Sequence, residues 1–423
     1  MSDDFSDDQL EFEEFDVNSV VAKSSYASAY LPAVDLTPAL KPWHRPHKHY
    51  VRTRQWLKAV QSLLGDPASA ALRSDSGVEP NKTVLKYLGL PGSDLIDLDM
   101  IQQECLRRDI QLRYLGFDDA SRGSDADLAY LALNEEILKR RGGIHRESTI
   151  IPDNISELGL INSMARHAVG DNTFDVVNID LCGSPLADPA GNARTIYSAL
   201  SGVQSIQSAR TRPWLLFITG AFDRRGSGPR QLENLRGLVE VFQSALEGCP
   251  IAQGEVHRVF GSDPLPKILE HEGCSESTHA RLAVLSFVAW LAAISRGHGH
   301  SLHNLLSVLA YRTDESQEDP PMHSLAIRVT PKLAIPPDAT GLLPNSPESD
   351  ASATTCNEFC QFVKRTEKIV DVDQKLWDDD SLFNELVVEI SALLEQRGYD
   401  VGSYQASPLS ARLSYPSRSS GAV

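Results

Sequence analysis

From residue 83 onward, the sequence alternates short apolar runs with longer segments of helical periodicity, and this alternation limits the possible folds more than any other feature. Five apolar runs are each followed by a helical segment, namely TVLKYLGL, QLRYLGFD, STIIPDN, FDVVNIDLCG and WLLFITGAFD. A strand followed by a helix, repeated in this way, is typical of βαβ units, in which parallel strands form one sheet with helices on its faces. The chain is therefore predicted to be an α/β protein.

Two further apolar runs follow the five units, HNLLSVLAYRTD and HSLAIRVTP, and only the polar stretch ESQEDPPM separates them. Neighbouring parallel strands need a crossover of about a dozen residues or more, so this short connection predicts an antiparallel hairpin. The segment before them, ARLAVLSFVAWLAAISRG, is apolar nearly all round, which predicts a helix buried against the sheet. The expected fold is a Rossmann-like, mostly parallel sheet of seven strands that ends in an antiparallel β-hairpin.

The segments outside this core differ from it in composition. Residues 1–16 are acidic and of low complexity, which is typical of disorder, and residues 331–355 have the Pro, Ser and Asp content of a linker. Apolar residues return at helical spacing in LFNELVVEISALL. The predicted divisions are a disordered acidic tail and arm at 1–40, a basic helical segment at 41–82, the α/β domain at 83–332, a linker at 333–355, a small C-terminal helical unit at 356–400 and a disordered tail at 401–423.

Charge and cysteine content bound the environment of the protein. The 423-residue chain has a formal net charge of −17, which argues against nonspecific binding of nucleic acid by the whole surface. Six cysteines in so long a chain predict no disulfide framework, and the acidic N-terminus MSDDFSDDQLEFEEFD lacks the pattern of a signal peptide. No apolar run reaches the roughly 18 residues that a membrane span needs. A cytoplasmic protein without a membrane segment is expected.

One segment departs from this acidic composition. No acidic residue occurs between Asp35 and Asp66, while basic residues and histidines accumulate there. Lys48, His49 and Arg52, with aromatic residues interleaved, indicate a surface that holds substrate phosphates or stacks on bases. A solvated helix face whose charges balance the acidic tail explains the same composition. Both interpretations stay open, and nucleic acid is expected to bind only locally, through residues 41–58.

Glycines and polar residues recur where the predicted strands end. In doubly wound sheets, ligands bind beyond the carboxyl ends of the strands. Glycine allows a ligand to approach the backbone, and a carboxylate can accept hydrogen bonds from a ribose diol or an adenine amine. The same residue types are common turn formers, so a series of plain turns is the alternative. The residues concerned are Gly89, Pro91 and Gly92 after the first strand, Asp118 after the second, Asp153 and Asn154 after the third, and Asp180 after the fourth.

The five units, the acidic residue that closes the second strand, the polar turn after the third, VVNIDLCGS after the fourth and the terminal hairpin together resemble class I S-adenosylmethionine-dependent methyltransferases. The resemblance covers about residues 83–330 and implies S-adenosylmethionine as the cofactor. It implies that Gly89 and Gly92 approach the methionine moiety, that Asp118 binds the ribose, that Asp153 borders the adenine, and that Asp180 lies nearest the transferred methyl. Pro91 and Asn154 are further candidates for cofactor binding, and Asp180 is the candidate catalytic base. Lys48, His49, Arg52 and Arg224 are the candidates for substrate binding.

The sequence also departs from that family. The acidic position of its first loop falls at Tyr87, a central glycine is replaced by Pro91, and DLCGS is not the Asn/Asp-Pro-Pro-aromatic box of enzymes that methylate amino groups in DNA. The first alternative is therefore a catalytically inactive scaffold or regulatory subunit of a bacterial multiprotein system, docking through its tails or C-terminal helical unit. KPWHRPHKHYV resembles segments of uncharacterised proteins from bacterial defence islands. The second is an NAD-dependent oxidoreductase, which the absence of G-x-G-x-x-G opposes.

Histidine and cysteine groupings do not predict a metal site. HGHSLH lies in the turn before the sixth strand, where histidines are commonly surface caps. CNEFC spaces its cysteines by four positions on a predicted helix, unlike the two-residue spacing of zinc knuckles. Cys182 is expected to be an inert buried thiol.

Overall fold

A computed structural model describes residues 39–66, 83–118, 125–187, 195–224, 228–271, 273–317, 319–331 and 351–414. The predicted acidic tail and most of the arm, the greater part of the linker and the last nine residues lie outside the described residues. The other predicted divisions can be compared with the structure.

One mixed sheet of eight strands forms the centre of the described chain, in the order β3-β2-β1-β4-β5-β7-β6-β8. The pairs among β1 to β5 are parallel, β7 is antiparallel to both β5 and β6, and β8 is parallel to β6. The α/β class and the terminal antiparallel hairpin are confirmed, but the sheet has eight strands where seven were expected. The strands are β1 (Thr83–Gly89), β2 (Ile110–Phe117), β3 (Thr149–Ile151), β4 (Val176–Asp180), β5 (Trp214–Ala221), β6 (His300–Tyr311), β7 (Met322–Pro331) and β8 (Val370–Asp371).

Helices cover both faces of this sheet. Those before and between the parallel strands are α1 (Pro46–Val51), α2 (Lys58–Gly65), α3 (Ile96–Arg107), α4 (Asp125–Arg141), α5 (Met164–Val169) and α6 (Ile196–Gln207). Those after β5 are α7 (Pro229–Leu246), α8 (Pro250–Phe260), α9 (Leu265–Glu270), α10 (Glu276–Gly297), α11 (Ala351–Glu367), α12 (Val372–Asp378), α13 (Asp380–Glu395) and α14 (Val401–Ala406). A π-helical stretch, Arg52–Leu57, joins α1 to α2, and short 3₁₀ helices occur at Pro42–His44 and Ile155–Gly159.

Alternate residues of each strand enter separate cores, because successive strand side chains point to opposite faces. In β5, Leu216 and Ile218 belong to the core that includes α6, α7 and α10, whereas Leu215 and Phe217 belong to the core that includes α1 to α3. Helix α10 is long and apolar enough to cross a membrane, but 67% of its most apolar window is buried inside the fold. It is therefore the buried helix that the sequence predicted.

The N-terminal basic segment and the C-terminal helices pack on the same face of the sheet. Val51 and Leu63 share a core with Leu376 and Leu386. The basic segment is consequently not the solvated helix face that was one of its two interpretations. Residues 401–406 form helix α14, so the prediction of disorder from residue 401 is wrong for this part of the chain.

Cysteine pairing also differs from the expectation. Cys249, directly before α8, and Cys356 in α11 form a disulfide, although the composition predicted none. Cys356 and Cys360 lie on one helix, as predicted. Unlike Cys356, Cys360 is a free thiol, and it is buried.

Candidate functional site

A cavity of about 630 Å³ opens at the carboxyl ends of β1, β2 and β4. Its wall comes from the loops that follow these strands, from the first turns of α3 and α4, and from the segment 41–52 that precedes the sheet. The end of β6 and the start of β7 complete it, because the antiparallel hairpin brings Tyr311 and Met322 to this same edge. The position is the one where doubly wound sheets bind ligands.

Six of the residues predicted from sequence lie together in the wall of this cavity: Lys48, Arg52, Pro91, Gly92, Asp118 and Asp180. Gly92 has φ +62°, a left-handed conformation that favours glycine, and no atom lies within 4 Å of where its Cβ would be. Glycine at this position therefore allows the left-handed backbone conformation and leaves the space beside it open to the cavity.

Gly89 does not line the cavity, and its lack of a side chain has another cause. A Cβ there would lie 2.5 Å from the carbonyl oxygen of Asn178 and 2.9 Å from the hydroxyl oxygen of Tyr87. This glycine permits close packing of β1 on β4. Tyr87, at the position where the resembled family has an acid, is fully buried, and burial followed by the charge of Asp97 raises the pKa of its hydroxyl well above the ordinary range.

Asp153 and Asn154 also lie outside the cavity wall. The Asn154 side chain accepts a hydrogen bond from the Ser156 N–H at 2.9 Å and so caps the 3₁₀ helix Ile155–Gly159. Asp153 accepts a hydrogen bond from the Asn154 N–H at 2.8 Å. These two residues act as turn formers, which was the alternative interpretation of the strand-end pattern.

The remaining predicted substrate residues face other parts of the protein. His49 is buried with its Nε2 3.1 Å from a carboxylate oxygen of Glu389 in α13. Arg224 does not line the cavity, and its backbone N–H donates to Glu276 at the start of α10. Neither residue is placed to meet a ligand in the cavity.

Lys48 and Asp180 form an ion pair at the wall, with Nζ 2.5 Å from Oδ1. The ammonium also lies 3.3 Å from the Tyr311 hydroxyl and 4.5 Å from the ring centroid of Trp56, a cation–π arrangement. Burial lowers the pKa of Lys48, but attraction to Asp180, with a smaller contribution from Tyr311, outweighs it, so the pKa is raised. Lys48 therefore remains a cation, paired with Asp180.

Arg52 and Asp97 form a second pair, with Nε 2.6 Å from Oδ1, and both side chains are almost completely buried. Burial is the largest influence on Asp97 and raises its pKa. Arg52 opposes this rise, and the neighbouring Asp180 adds to it. Arg52 also donates to the carbonyl oxygen of Trp43 at 2.7 Å, which fixes the N-terminal segment over the first turn of α3.

Sequence reasoning missed three acidic residues of the wall, Asp94, Asp97 and Asp127. Asp94 and Asp97 occur in GSDLIDLD, where acidic residues also stabilise a helix N-terminus, so the local pattern has an ordinary structural explanation. Cys182 was expected to be buried, yet it is exposed and lines the cavity.

Two histidines of HGHSLH, His300 and His303, are buried, so the expectation of surface caps is wrong for them. His303 is buried with Nδ1 3.0 Å from Glu358, and burial lowers the pKa of His300 to about 4. Among the described residues, no three His, Cys, Asp or Glu side chains are grouped as metal ligands.

Comparison with known proteins gives a family without an activity. A family model described as PP_RS20740-like matches residues 38–408, which include the sheet, the cavity and the C-terminal helices. A search of curated proteins returns no match to the chain.

Proposed function

Since the chain belongs to the PP_RS20740-like family, whose name specifies no activity, we propose a function from the site itself. The protein is a class I methyltransferase-like protein that binds S-adenosylmethionine in the cavity beyond β1, β2 and β4. The observation that carries this proposal is the convergence of Gly92, Asp118 and Asp180 on one cavity of about 630 Å³. The insertion of antiparallel β7 between β5 and β6 supports it, because the resemblance implies a terminal hairpin of this kind.

The donor set of the cavity fits this cofactor. Five aspartates but only three Lys or Arg side chains line it. S-adenosylmethionine carries a sulfonium, an ammonium and one carboxylate but no phosphate, so its net charge is positive and an excess of carboxylates in the wall complements it. Asp118 would hold the ribose, the loop at Gly92 would hold the methionine moiety, and Asp97 would replace the acid that is absent at Tyr87. When bound, the cofactor supplies an electrophilic methyl group.

The chain's own residues would mainly position the acceptor. Methyl transfer is an in-line displacement that depends on orientation, so it requires few catalytic groups. Asp180 is the candidate base. A proton that moved to Asp180 would weaken its ion pair with Lys48, so the pair favours acceptors that lose their proton readily.

The same ion pair favours a second candidate function, a scaffold or regulatory subunit that binds the cofactor without transferring its methyl group. Asp180, the residue nearest the proposed methyl position, already has Lys48 as a partner, and Pro91 is buried rather than open to solvent. Binding with no turnover on any acceptor would be its signature.

An NAD-dependent oxidoreductase is disfavoured by the start of α3. Dinucleotide sites bind a pyrophosphate at this helix N-terminus. Here Asp94 precedes the helix, and Asp97 and Asp99 occupy its first turn. These carboxylates already occupy the positive end of the helix, so a pyrophosphate would have to displace them.

Calorimetric titration of the full chain with S-adenosylmethionine, its demethylated product and NAD tests the proposal. Asp118→Asn should weaken binding of S-adenosylmethionine about tenfold or more, because a charge-assisted hydrogen bond contributes roughly 1.5–3 kcal/mol. Asp153→Asn is the matched control, since Asp153 also follows a parallel strand but lies outside the wall. This variant should bind S-adenosylmethionine as tightly as the unaltered protein does. Absence of heat with both adenosyl ligands would reject the cofactor, and equal losses in both variants would reject the assigned position.

A further inference from the structure

The loop between β1 and α3, residues 90–95, forms one side of the cavity and is anchored from distant parts of the chain. Asp94 lies in the cavity wall but is itself buried. Its Oδ2 accepts hydrogen bonds from Trp43 Nε1 at 2.9 Å and from His44 Nε2 at 3.0 Å, and its Oδ1 accepts one from the Tyr399 hydroxyl at 2.5 Å. His44 Nδ1 accepts the Lys41 N–H, which leaves Nε2 as the nitrogen that donates to Asp94.

Arg397 holds the backbone of the same residue. Its Nε donates to the Asp94 carbonyl oxygen at 2.7 Å, and a terminal nitrogen donates to Asp99 in the first turn of α3 at 2.5 Å. The guanidinium and the Asp99 carboxylate are completely buried. One side chain from the segment just after α13 thus connects the loop to the helix that follows the loop, across about 300 residues of sequence.

Backbone conformation gives a reason why this loop needs such anchors. Leu95 has φ +52°, a left-handed conformation at a residue with a branched side chain. Such a conformation costs on the order of 1–2 kcal/mol and persists only where surrounding contacts fix it. The Leu95 side chain is fully buried. Asp94, directly before it, accepts the hydrogen bonds from the N-terminal and C-terminal segments that were described above.

Charge supports the same arrangement. Burial alone would raise the pKa of Asp94, but hydrogen bonds from His44, Trp43 and Tyr399 together lower it well below its usual range. The group at the centre of the anchor is therefore a carboxylate, and hydrogen bonds to an ionised acceptor are about twice as strong as neutral ones.

We propose that Arg397 and Tyr399 are positioning residues of the cavity. Acting through Asp94, they hold the 90–95 loop in the conformation that lines the cavity, so that ligand affinity depends on docking of the C-terminal segment. The conformation of the loop follows from geometry alone, whereas the dependence of ligand affinity on docking rests on the proposed function.

Hydrogen exchange measured by mass spectrometry on the full chain tests the loop directly. Tyr399→Phe should speed exchange of loop amides about tenfold, because it removes one hydrogen bond to the buried carboxylate. The informative amides are those of Leu90, Leu95 and Asp99, each of which donates to a backbone carbonyl. Arg397→Lys keeps the positive charge but loses the planar guanidinium whose nitrogens reach both Asp94 and Asp99. It should therefore speed exchange of the same amides more than Tyr399→Phe does.

Tyr114→Phe is the matched control. Its hydroxyl also donates to a carboxylate, Glu135 at 2.8 Å, and the residue is also buried, but it lies outside the cavity wall. This variant should leave exchange of the loop unchanged, which separates positioning from a general loss of stability. Unchanged loop exchange in Tyr399→Phe, or equal acceleration in Tyr114→Phe, would overturn the proposal.

Titration with S-adenosylmethionine separates this inference from the proposed function. We expect Tyr399→Phe to weaken binding by about the same factor as it speeds loop exchange, roughly tenfold. Faster loop exchange with unchanged cofactor affinity would refute the dependence on C-terminal docking. If the unaltered protein bound no adenosyl ligand, the proposed function would fail while the exchange result still decided whether these residues position the loop.

Discussion

The wall of the cavity and the outer surface of α7 both contain arginine–carboxylate pairs, but in opposite surroundings. In the wall, Arg52 and Asp97 are 5% and 3% exposed and lie 2.6 Å apart. On α7, Arg236 is 56% exposed and pairs with Glu240 at 3.1 Å and Glu270 at 3.0 Å. The sequence of the basic segment fits both a ligand-binding and a solvated position for Arg52, so composition does not distinguish its surroundings from those of Arg236. Burial determines how much each pair contributes to folding.

The difference follows from the cost of removing charges from water. Two exposed ions are already solvated and gain little from meeting, whereas a buried ion depends on its partner for most of its stabilisation. The pairs of the wall should therefore be sensitive to loss of one member, and the pairs of α7 should not.

The largest effect is expected for Arg52→Met. This change leaves Asp97 buried without its cation, and loss of one member of a buried pair costs about 3–5 kcal/mol of unfolding free energy. It also removes the hydrogen bond to the Trp43 carbonyl. Urea denaturation followed by far-UV circular dichroism would measure the loss.

The double variant Arg52→Met, Asp97→Leu sharpens this prediction. It removes both charges and fills the space with apolar groups, so it should recover most of the lost stability. If it proved as unstable as Arg52→Met alone, packing rather than the unpaired carboxylate would explain the effect, and the contrast with α7 would lose its electrostatic basis.

The distance in sequence between interacting residues explains which parts of the fold the sequence could predict. The strands β1, β2, β4 and β5 follow from local apolar runs, and the hairpin from a connection too short for a crossover, because these signals are contained within a few residues. Strand β8, only two residues long, has no such signal. The insertion of β7 beside β5 depends on pairing over about 100 residues.

Part of the candidate site could be predicted from the sequence in the same way. Gly92, Asp118 and Asp180 were found because the carboxyl ends of parallel strands meet at one edge. Asp153 was assigned by the same rule but lies outside the wall, where it accepts a hydrogen bond from the Asn154 N–H. Asp94 was missed because its partners, His44 and Tyr399, are 50 and 305 positions away, and no local pattern encodes such contacts.

A smaller effect, visible as a pH dependence, is expected at His47 and Asp373, which are buried between α1 and α12. Their Nε2 and Oδ1 atoms lie 3.3 Å apart, close enough for an ion pair but not aligned for a hydrogen bond. Burial, and then the charges of Arg45 and Arg312, lower the pKa of His47 from 6.5 to about 3. Burial raises the pKa of Asp373 from 3.8 to about 7, against the attraction of Arg312.

These two shifts have opposite consequences for stability. Between pH 6.5 and 3 the unfolded chain protonates His47 and the folded chain does not, so this histidine destabilises the fold as pH falls. Between pH 7 and 3.8 the folded chain protonates Asp373 and the unfolded chain does not, so this carboxyl stabilises the fold as pH falls. In the intact pair the two contributions largely cancel.

Separate variants should reveal the two slopes. Relative to the unaltered protein, His47→Gln should become more stable as pH falls from 6.5 to 4, and Asp373→Asn should become less stable, each by up to about 1.4 kcal/mol per pH unit. Urea midpoints measured at half-unit intervals of pH would give both slopes. Parallel curves for the two variants would show that the buried pair does not titrate in this way.

The smallest effect is expected for Arg236→Met, the counterpart on α7 of the substitution at Arg52. The two carboxylates that lose their partner, Glu240 and Glu270, are 54% and 52% exposed and remain solvated. The loss should be about 0–1 kcal/mol at low ionic strength and should disappear in 1 M salt, where the Debye length falls to about 3 Å. Arg52→Met should keep most of its effect at that salt concentration, because a buried pair is poorly screened. A loss at Arg236 as large as that at Arg52, or a salt dependence shared by both, would break the distinction between the two regions.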